Sequence, residues 1–216
     1  MLLLAGMYYL CERIFTNLFG MYNNEITERQ QQIIRVSLDL IAEGGIQSLT
    51  IKNLSKKIGF AESAIYRHYE NKIQILIAIL DFFKQNSQAF FTKELDSNET
   101  AIHKIDNLFL SHFVKFSENP SLVAVIFSEE IFRNEAALTA RVAEIMKENI
   151  GVLTTIVEKG QLDGEIRQDI GAGDLSVIIM GSLRMFVKQW HISNNGFDLM
   201  EKGKGLIKSI NTLVKA

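Results

Sequence analysis

Cysteine and proline are almost missing from this chain. Cys11 is the only cysteine among 216 residues, so no disulfide can form within the chain and cysteines cannot build a zinc site. We therefore expect a reducing, cytoplasmic environment. Pro120 is the only proline, and together with 47% apolar residues it favours a mostly helical globular protein over a disordered or all-β one.

The sequence also lacks the motifs of the common enzyme classes. It contains no phosphate-binding glycine loop, no Gly-x-Ser-x-Gly elbow, no His-Glu-x-x-His and no Cys-x-x-Cys. The acidic residues Glu129, Glu130 and Glu135 have the pattern of a solvated helix start. We therefore expect a protein that is not an enzyme, with no catalytic residue, no metal site and no cofactor.

A strong charge of either sign is missing too, since the net charge is −2. Residues 22–73 contain seven Lys and Arg against six Asp and Glu, whereas residues 74–216 contain fifteen against eighteen. Neutralisation of phosphates carries most non-specific binding to nucleic acid. A nucleic-acid partner would therefore have to be held by a local patch, present in two copies.

The beginning of the chain is strongly apolar, but it contains no hydrophobic run long enough to cross a membrane. Glu12 and Arg13 interrupt an apolar stretch of about ten residues, where a membrane helix needs about 20. A secretory signal is not indicated, because the start has neither Lys or Arg nor a small-x-small cleavage site. We expect residues 1–21 to be an atypical apolar extension, with Met21 as a plausible true start. The alternatives are an extra helix packed on the body and a membrane anchor; we expect no stable membrane association.

What the sequence does contain is a helix-turn-helix pattern between residues 50 and 72. Ile51, Leu54 and Ile58 recur at helical spacing, and Thr50 precedes them as a predicted N-cap. Gly59 can adopt the left-handed backbone that a sharp helix exit requires. A second short helix, from about residue 62 to 69, would bury Ile65 against the first. Such a unit places its second helix in the DNA major groove.

The run LTIKNLSKKIGFAESAIYRHYENK, at residues 49–72, resembles the DNA-binding module of the tetracycline-repressor (TetR) family of transcriptional regulators. Its most specific segment is IYRHYENK, at residues 65–72. The resemblance implies an all-α fold, with a DNA-binding bundle of three helices at residues 22–73 and a helical ligand-binding and dimerisation domain at residues 74–216. One departure is Ala61, where the family usually has a Ser or Thr cap, so Glu62 or water must serve that helix end.

The resemblance also implies which residues contact double-stranded DNA. Hydroxyl, imidazole and cationic groups suit the phosphate backbone, and the residues at base edges are carried over from the matching positions of the family pattern. The residues expected at phosphates are Thr50, Tyr66, His68 and Lys72. Those expected at base edges are Lys52, Glu62, Ser63 and Ala64. For Glu62, an equally good interpretation is an acid that favours the helix dipole.

Helical periodicity continues through the rest of the chain. The helices are predicted at about 27–44, 51–58, 62–69, 72–93, 101–117, 121–127, 134–159, 174–192 and 199–214. Residues 94–100 and 160–174 are predicted to be a polar break and a turn-rich loop. The resemblance implies that the last two helices form a homodimer, and that the dimer binds an inverted-repeat operator. Packing within the monomer is the alternative for these two helices.

The resemblance implies a ligand pocket among the fourth to seventh predicted helices, and nine phenylalanines lie between residues 82 and 132. The predicted lining is Phe83, Phe109, His112, Phe113, Phe116 and Phe127. Candidate polar anchors are His103, Glu129 and Arg133, besides His112. An aromatic pocket suits an apolar or amphipathic small molecule. An ordinary core of phenylalanines, with a buried core histidine, fits the same spacing.

The sequence therefore predicts a ligand-responsive, DNA-binding transcriptional regulator. We expect a repressor that a small effector releases from its operator. An activator of the same fold and a membrane-associated interaction protein remain alternatives.

Overall fold

The computed structural model describes residues 26–128 and 135–216, apart from the side chain of Asn86. Over these residues the fold is all-α, as predicted: helices, one short 3-10 turn at Ile46–Ser48, and an isolated bridge between Ile166 and Lys215. The predicted extension at residues 1–21 lies outside the described residues. The helices are α1 (Glu28–Gly44), α2 (Ile51–Ile58), α3 (Glu62–Tyr66), α4 (Lys72–Asp96), α5 (Ala101–Glu118), α6 (Pro120–Ile126), α7 (Ala136–Leu162), α8 (Ala172–Ile192) and α9 (Leu199–Val214).

Helices α1 to α3 form a small bundle with well-defined ends. Thr27 and Gln30 make a reciprocal capping box at the start of α1. Thr50 accepts a hydrogen bond of 3.1 Å from the backbone N–H of Asn53, which confirms it as the N-cap of α2. Gly59 ends α2 with φ at +83°, a left-handed conformation that a side chain would disfavour. The apolar residues predicted as the core are buried, namely Ile34, Leu38, Ile41, Leu49, Leu54 and Ile65, and Ile58 is half-buried.

Helix α4 connects this bundle to the body. Asn71 caps its start by accepting from the N–H groups of Ile73 and Gln74, at 2.9 and 3.1 Å. The helix has 25 residues and is therefore roughly 37 Å long. It packs against α1, α6 and α7. A displacement of α4 in the body can therefore be transmitted to the bundle.

The body is built from α5 to α9. Helix α7 packs against α4, α5 and α8, and α9 lies along α5. The approach of α9 to α5 is close at Gly203, where an added Cβ would lie 2.3 Å from the ring of Phe113. Glycine is needed there because a larger residue would push the two helices apart.

Several helix ends differ from the prediction. Helix α3 ends at Tyr66, and His68 continues only as a turn in which its N–H donates to the Ile65 carbonyl. Helix α4 continues to Asp96, because Lys104 of α5 donates to the Ser97 carbonyl at 2.8 Å and holds the end of the helix. Helix α7 likewise extends three residues beyond the predicted end at residue 159. The contact of Lys104 with the end of α4 is a tertiary one, which periodicity does not register.

Candidate DNA interface and ligand cavity

The eight residues expected to contact DNA lie on the start of α2, on α3 and at the start of α4. Thr50, Lys52, Glu62, Ser63 and Tyr66 are exposed, whereas Ala64, His68 and Lys72 are half-buried. Because α2 and α3 pack on one another, the fold brings these residues into one region of the surface. Their roles at phosphates or bases stay predictions.

Two tyrosines three residues apart have opposite environments. Tyr66 is 49% exposed and offers its hydroxyl to solvent, whereas Tyr69 is 6% exposed. Among the described residues the Tyr69 hydroxyl has no hydrogen-bond partner. Burial, with a smaller contribution from Asp81, raises the pKa of Tyr69 to about 12. Tyr69 thus belongs to the core, and Tyr66 to the surface that can meet DNA.

The start of α3 lacks a capping side chain within the part of the chain that the structure describes. Ala61 occupies the N-cap position with extended backbone angles, and no side chain accepts from the free N–H groups there. The acidic residue of the first turn is Glu62. The free donors at this helix start therefore remain available to an acceptor such as a phosphate oxygen.

Cations of the bundle divide into paired and solvent-facing ones. Lys57 pairs with Glu43 at 2.5 Å, and the guanidinium of Arg29 lies 4.1 Å from the ring centre of Phe60. Arg67 is exposed immediately after α3. It is one of the donors of this segment that suit a phosphate backbone, together with Ser63, Tyr66, His68 and Lys72.

A cavity of about 180 Å³ lies in the body between α4, α5, α7 and α8, with the end of α6 beside it. Four of the six predicted residues line it, namely Phe83, His112, Phe116 and Phe127. The rings of Phe83 and Phe116 stack with centroids 5.9 Å apart. The walls are therefore largely aromatic on the α5 side.

The structure does not bring Phe109 and Phe113 to this cavity. Both are fully buried on α5, and they meet edge to face with centroids 5.9 Å apart. Phe113 instead fills the space over Gly203 and contacts Phe186 of α8. Of the other candidate polar anchors, His103 is exposed near Glu99. Glu129 and Arg133 lie outside the described residues, as does Phe132.

Helices α7 and α8 provide most of the remaining wall. The pocket was expected to include α7, but none of the wall residues of α7 or α8 was predicted individually. The two helices contribute apolar residues, the polar Asn149 and the cationic Arg184. The guanidinium of Arg184 lies 4.5 Å from the ring centre of Phe127. In α7 the wall residues recur three or four positions apart, the pattern of one helix face. That signal is present in the sequence, but it does not tell a cavity wall from a core.

His112 is the buried titratable group of the cavity wall. Its Nδ1 lies 2.8 Å from the Leu108 carbonyl oxygen. Burial lowers the pKa of His112 to about 4; the hydrogen bond to Leu108 opposes this effect and the charge of Lys115 adds to it. The imidazole is therefore neutral at pH 7.

A network of ion pairs joins α4 to α7 beside the cavity. Lys84 of α4 lies 2.8 Å from Glu144 and 2.8 Å from Glu148 of α7. Arg141 of α7 pairs with Glu144 at 2.6 Å and also with Asp81 of α4. Hydrogen bonds from Lys84 and Arg141 lower the pKa of Glu144 to about 2. These pairs fix the position of α4 against α7.

Helix α8 also has exposed apolar side chains, of which Val177 borders the cavity. Val177, Ile178 and Met185 are 56%, 39% and 59% exposed, and Leu213 of α9 is 41% exposed. No helix of the described ranges is both long and apolar enough to cross a membrane. In the same ranges no group of three or more His, Cys, Asp or Glu side chains could hold a metal ion.

Comparison with known proteins gives two family matches. The family described as "Bacterial regulatory proteins, tetR family" matches residues 33–79, and "YsiA-like protein, C-terminal region" matches residues 83–214. The fatty acid metabolism regulator protein of Bacillus subtilis (strain 168) is 24% identical over 183 residues, which cover 83% of this chain and 92% of that protein. The nucleoid occlusion factor SlmA of Actinobacillus pleuropneumoniae serotype 5b (strain L20) is 24% identical over 194 residues, which cover 88% of this chain and 96% of that protein.

Solved structures show the same fold. The transcriptional regulator FadR from Bacillus subtilis, in complex with stearoyl-CoA, superimposes with a TM-score of 0.70 and 24% identity, over 83% of this chain and 96% of that one. Family and fold point to a transcription regulator rather than an enzyme. With a family match over residues 83–214 and the tetR match before it, the chain belongs to the TetR family of DNA-binding transcriptional regulators.

Proposed function

We propose that this regulator is a ligand-responsive repressor, which acts in the cytoplasm and binds an inverted-repeat operator as a homodimer. The observation that carries the proposal is the course of α4. This helix begins at Lys72, next to the recognition helix, and reaches the cavity with Leu80 and Phe83. Lys72 and Phe83 lie roughly 16 Å apart along the helix axis. One rigid element thus connects a ligand site with a DNA-binding surface.

The homodimer is supported by the exposed apolar face of α8. Val177, Ile178 and Met185 would be buried by the same helices of a second subunit, with Leu213 of α9 beside them. Burial of such a face is favourable, by roughly 25 cal/mol per Å². A two-fold dimer presents two copies of α3, which can read successive major grooves about 34 Å apart.

The DNA contacts of the proposal follow the exposed surface of the bundle. Thr50, Tyr66, His68 and Lys72 would hold phosphates, with the free N–H groups at the start of α3 as further donors. Base edges would be read by Lys52, Glu62, Ser63 and Ala64. Glu62 would accept from the amino group of a cytosine, since an acid near DNA is otherwise unfavourable.

The effector that we propose is an amphipathic molecule with a long acyl chain, of the acyl-CoA class. The apolar cavity suits such a chain, and the similar FadR structure contains stearoyl-CoA. A cavity of about 180 Å³ is smaller than the roughly 300–1,000 Å³ of typical ligand sites. A long chain therefore requires the walls to separate, and α4 is one of those walls.

Widening of the cavity supplies the mechanism. A ligand that fits better when α4 has moved away from α7 shifts the population toward that state. The two recognition helices then lose the spacing that the operator needs. Ligand and operator consequently weaken each other's binding by the same factor.

The test is fluorescence anisotropy of labelled DNA from immediately upstream of the protein's own gene, at two salt concentrations. Wild type should bind at two subunits or more per site, and higher salt should weaken binding. Lys72→Ala combined with Tyr66→Phe should abolish it, whereas Lys159→Ala, at an exposed lysine of α7, should not. Stearoyl-CoA should then release the wild-type complex.

Each outcome bears on a different part of the proposal. A folded protein that selects no DNA from a genomic library would overturn the operator proposal. Complexes that survive saturating acyl-CoA would remove this effector class. Direction of control is read from expression of the bound gene: if deletion of the regulator lowers it, the protein is an activator.

A further inference from the structure

Besides the cationic Arg184, two uncharged polar side chains interrupt the apolar wall of the cavity, and they come from two different helices. His112 comes from α5 and Asn149 from α7, and both line the cavity. They are 4% and 8% exposed, so more than nine-tenths of each residue is shielded from solvent. Polar groups buried to this extent are normally hydrogen-bonded.

The chemistry of His112 is determined by its contact with its own helix. The carbonyl oxygen of Leu108 can only accept, so Nδ1 of His112, 2.8 Å away, carries the ring proton. The ring is neutral because burial lowers its pKa. Nε2 is then left as an acceptor on a ring that lines the cavity.

Asn149 supplies hydrogen-bond donors that complement the acceptor of His112. A carboxamide has two N–H donors and one carbonyl acceptor. Asn149 lines the cavity among several apolar residues of the same helix face. The wall therefore offers one donor group and two acceptors.

We propose that His112 and Asn149 form a polar recognition site inside the cavity, which selects ligands with a hydroxyl or secondary amide group between apolar parts. Such a group can donate to His112 Nε2 and accept from the Asn149 amide. A ligand of the same shape with a methyl group at this point leaves both side chains unpaired, which is the stronger source of discrimination. The inference rests on the proposed function only in taking the cavity as the effector site.

The test uses two probes that differ in one group, p-cresol and p-xylene. The cavity is comparable to one of about 150 Å³ that binds benzene, so substituted benzenes have a suitable size. Met146 and Met180 line the cavity. Their ¹³C-labelled methyl groups therefore report binding at this site by NMR, and titration gives both dissociation constants.

The quantity that decides is the preference for p-cresol over p-xylene, compared between variants. Asn149→Leu keeps the volume and removes the amide, and His112→Phe keeps a ring and removes both nitrogens. Each should reduce the preference roughly 3- to 10-fold, the effect of one hydrogen bond. Ile150→Leu, an apolar change in the same wall, should leave the preference within about twofold.

An unchanged preference in both folded variants would overturn the inference, and so would the absence of any response of the two methyl groups to either probe. The proposed function is tested separately by release of operator. If stearoyl-CoA releases the operator but the two variants keep the wild-type preference for p-cresol, only the polar site is overturned. A reduced preference with no release by acyl-CoA would support the polar site and remove that effector class.

Discussion

Tyr66 and Tyr69 differ at the scale of a single residue, because one hydroxyl is exposed and the other is buried. Removing the unpartnered hydroxyl of Tyr69 relieves the cost of burying it. We expect Tyr69→Phe to leave the free energy of unfolding unchanged or to raise it by up to about 1 kcal/mol, with operator affinity retained. Urea denaturation measures the first quantity and anisotropy the second.

Tyr66→Phe is the matched control for that substitution, since it removes the same group from an exposed position. It should leave the free energy of unfolding unchanged and weaken operator binding. If Tyr69→Phe lowered stability by more than about 1 kcal/mol, the hydroxyl would have to be hydrogen-bonded in the folded protein.

His112 makes stability depend on pH. Its pKa is about 4 in the folded state and about 6.5 when unfolded. Between these values the unfolded chain binds a proton that the folded protein does not, so the free energy of unfolding falls as pH falls from 6.5 to 4. The total loss is up to about 3 kcal/mol, and it ends below pH 4.

His112→Phe should remove this part of the pH dependence. Urea denaturation at pH 7, 6 and 5 gives the slope for wild type and variant, and the difference between them isolates His112 from the titrating carboxylates. His103→Gln, at an exposed histidine, should retain the wild-type slope. Equal slopes in wild type and His112→Phe would mean that the pKa of His112 is the same in the folded and the unfolded state.

Sequence periodicity predicts buried residues better than it predicts a cavity. Ile34, Leu54 and Ile65 were assigned to the core and are fully buried. Phe113 and Phe116 belong to the same apolar stripe of α5, yet Phe116 lines the cavity and Phe113 does not. The difference arises because Gly203 of α9 leaves room for the Phe113 ring. Gly203 is 90 positions away from Phe113 in the sequence, so a local sequence pattern could not predict where the Phe113 ring lies.

At the scale of elements, the uncapped start of α3 can be improved. Ala61 already has the extended backbone angles of an N-cap residue. Ala61→Ser adds an acceptor for the free N–H groups and should raise the free energy of unfolding by about 1 kcal/mol. Ala61→Val, which changes size without adding an acceptor, is the control. No difference in urea midpoint between the serine and valine variants would mean that another group already caps α3.

The ion pairs between α4 and α7 should hold the two helices together. Lys84→Met keeps the aliphatic stem but removes the charge that Glu144 and Glu148 share. We expect backbone amides in the middle of α4 to exchange hydrogen faster than in wild type. Lys208→Met, the same change at an exposed position of α9, should leave their exchange unchanged. Equal rates in Lys84→Met and wild type would show that apolar packing alone positions α4.

Helix positions were largely predictable, and helix ends were not. The start of α2 was identified because its signal is local: Thr50 accepts from Asn53 three residues later. The end of α4 was missed because it depends on Lys104, which reaches back from the next helix to the carbonyl of Ser97. The end of α3 was also missed, since no glycine or proline marks it.

At the scale of the whole molecule, the exposed face of α8 decides whether the proposed dimer forms. Met185 is 59% exposed in the monomer, so Met185→Asp should not affect folding. In a dimer the new carboxylate would be buried against its own copy, which is unfavourable because two like charges lose their solvation together. Light scattering should therefore show monomers, while circular dichroism remains that of wild type.

Loss of the dimer should affect DNA binding far more than loss of any one contact. A monomer presents a single recognition helix on a bundle with only a small excess of positive charge, and it loses the gain from binding two half-sites together. We expect operator affinity of Met185→Asp to fall roughly 100-fold or more. Leu162→Asp, which introduces the same carboxylate at an 86% exposed apolar position of α7, should remain dimeric and bind normally. A dimeric Met185→Asp with full operator affinity would mean that the subunits associate through another surface.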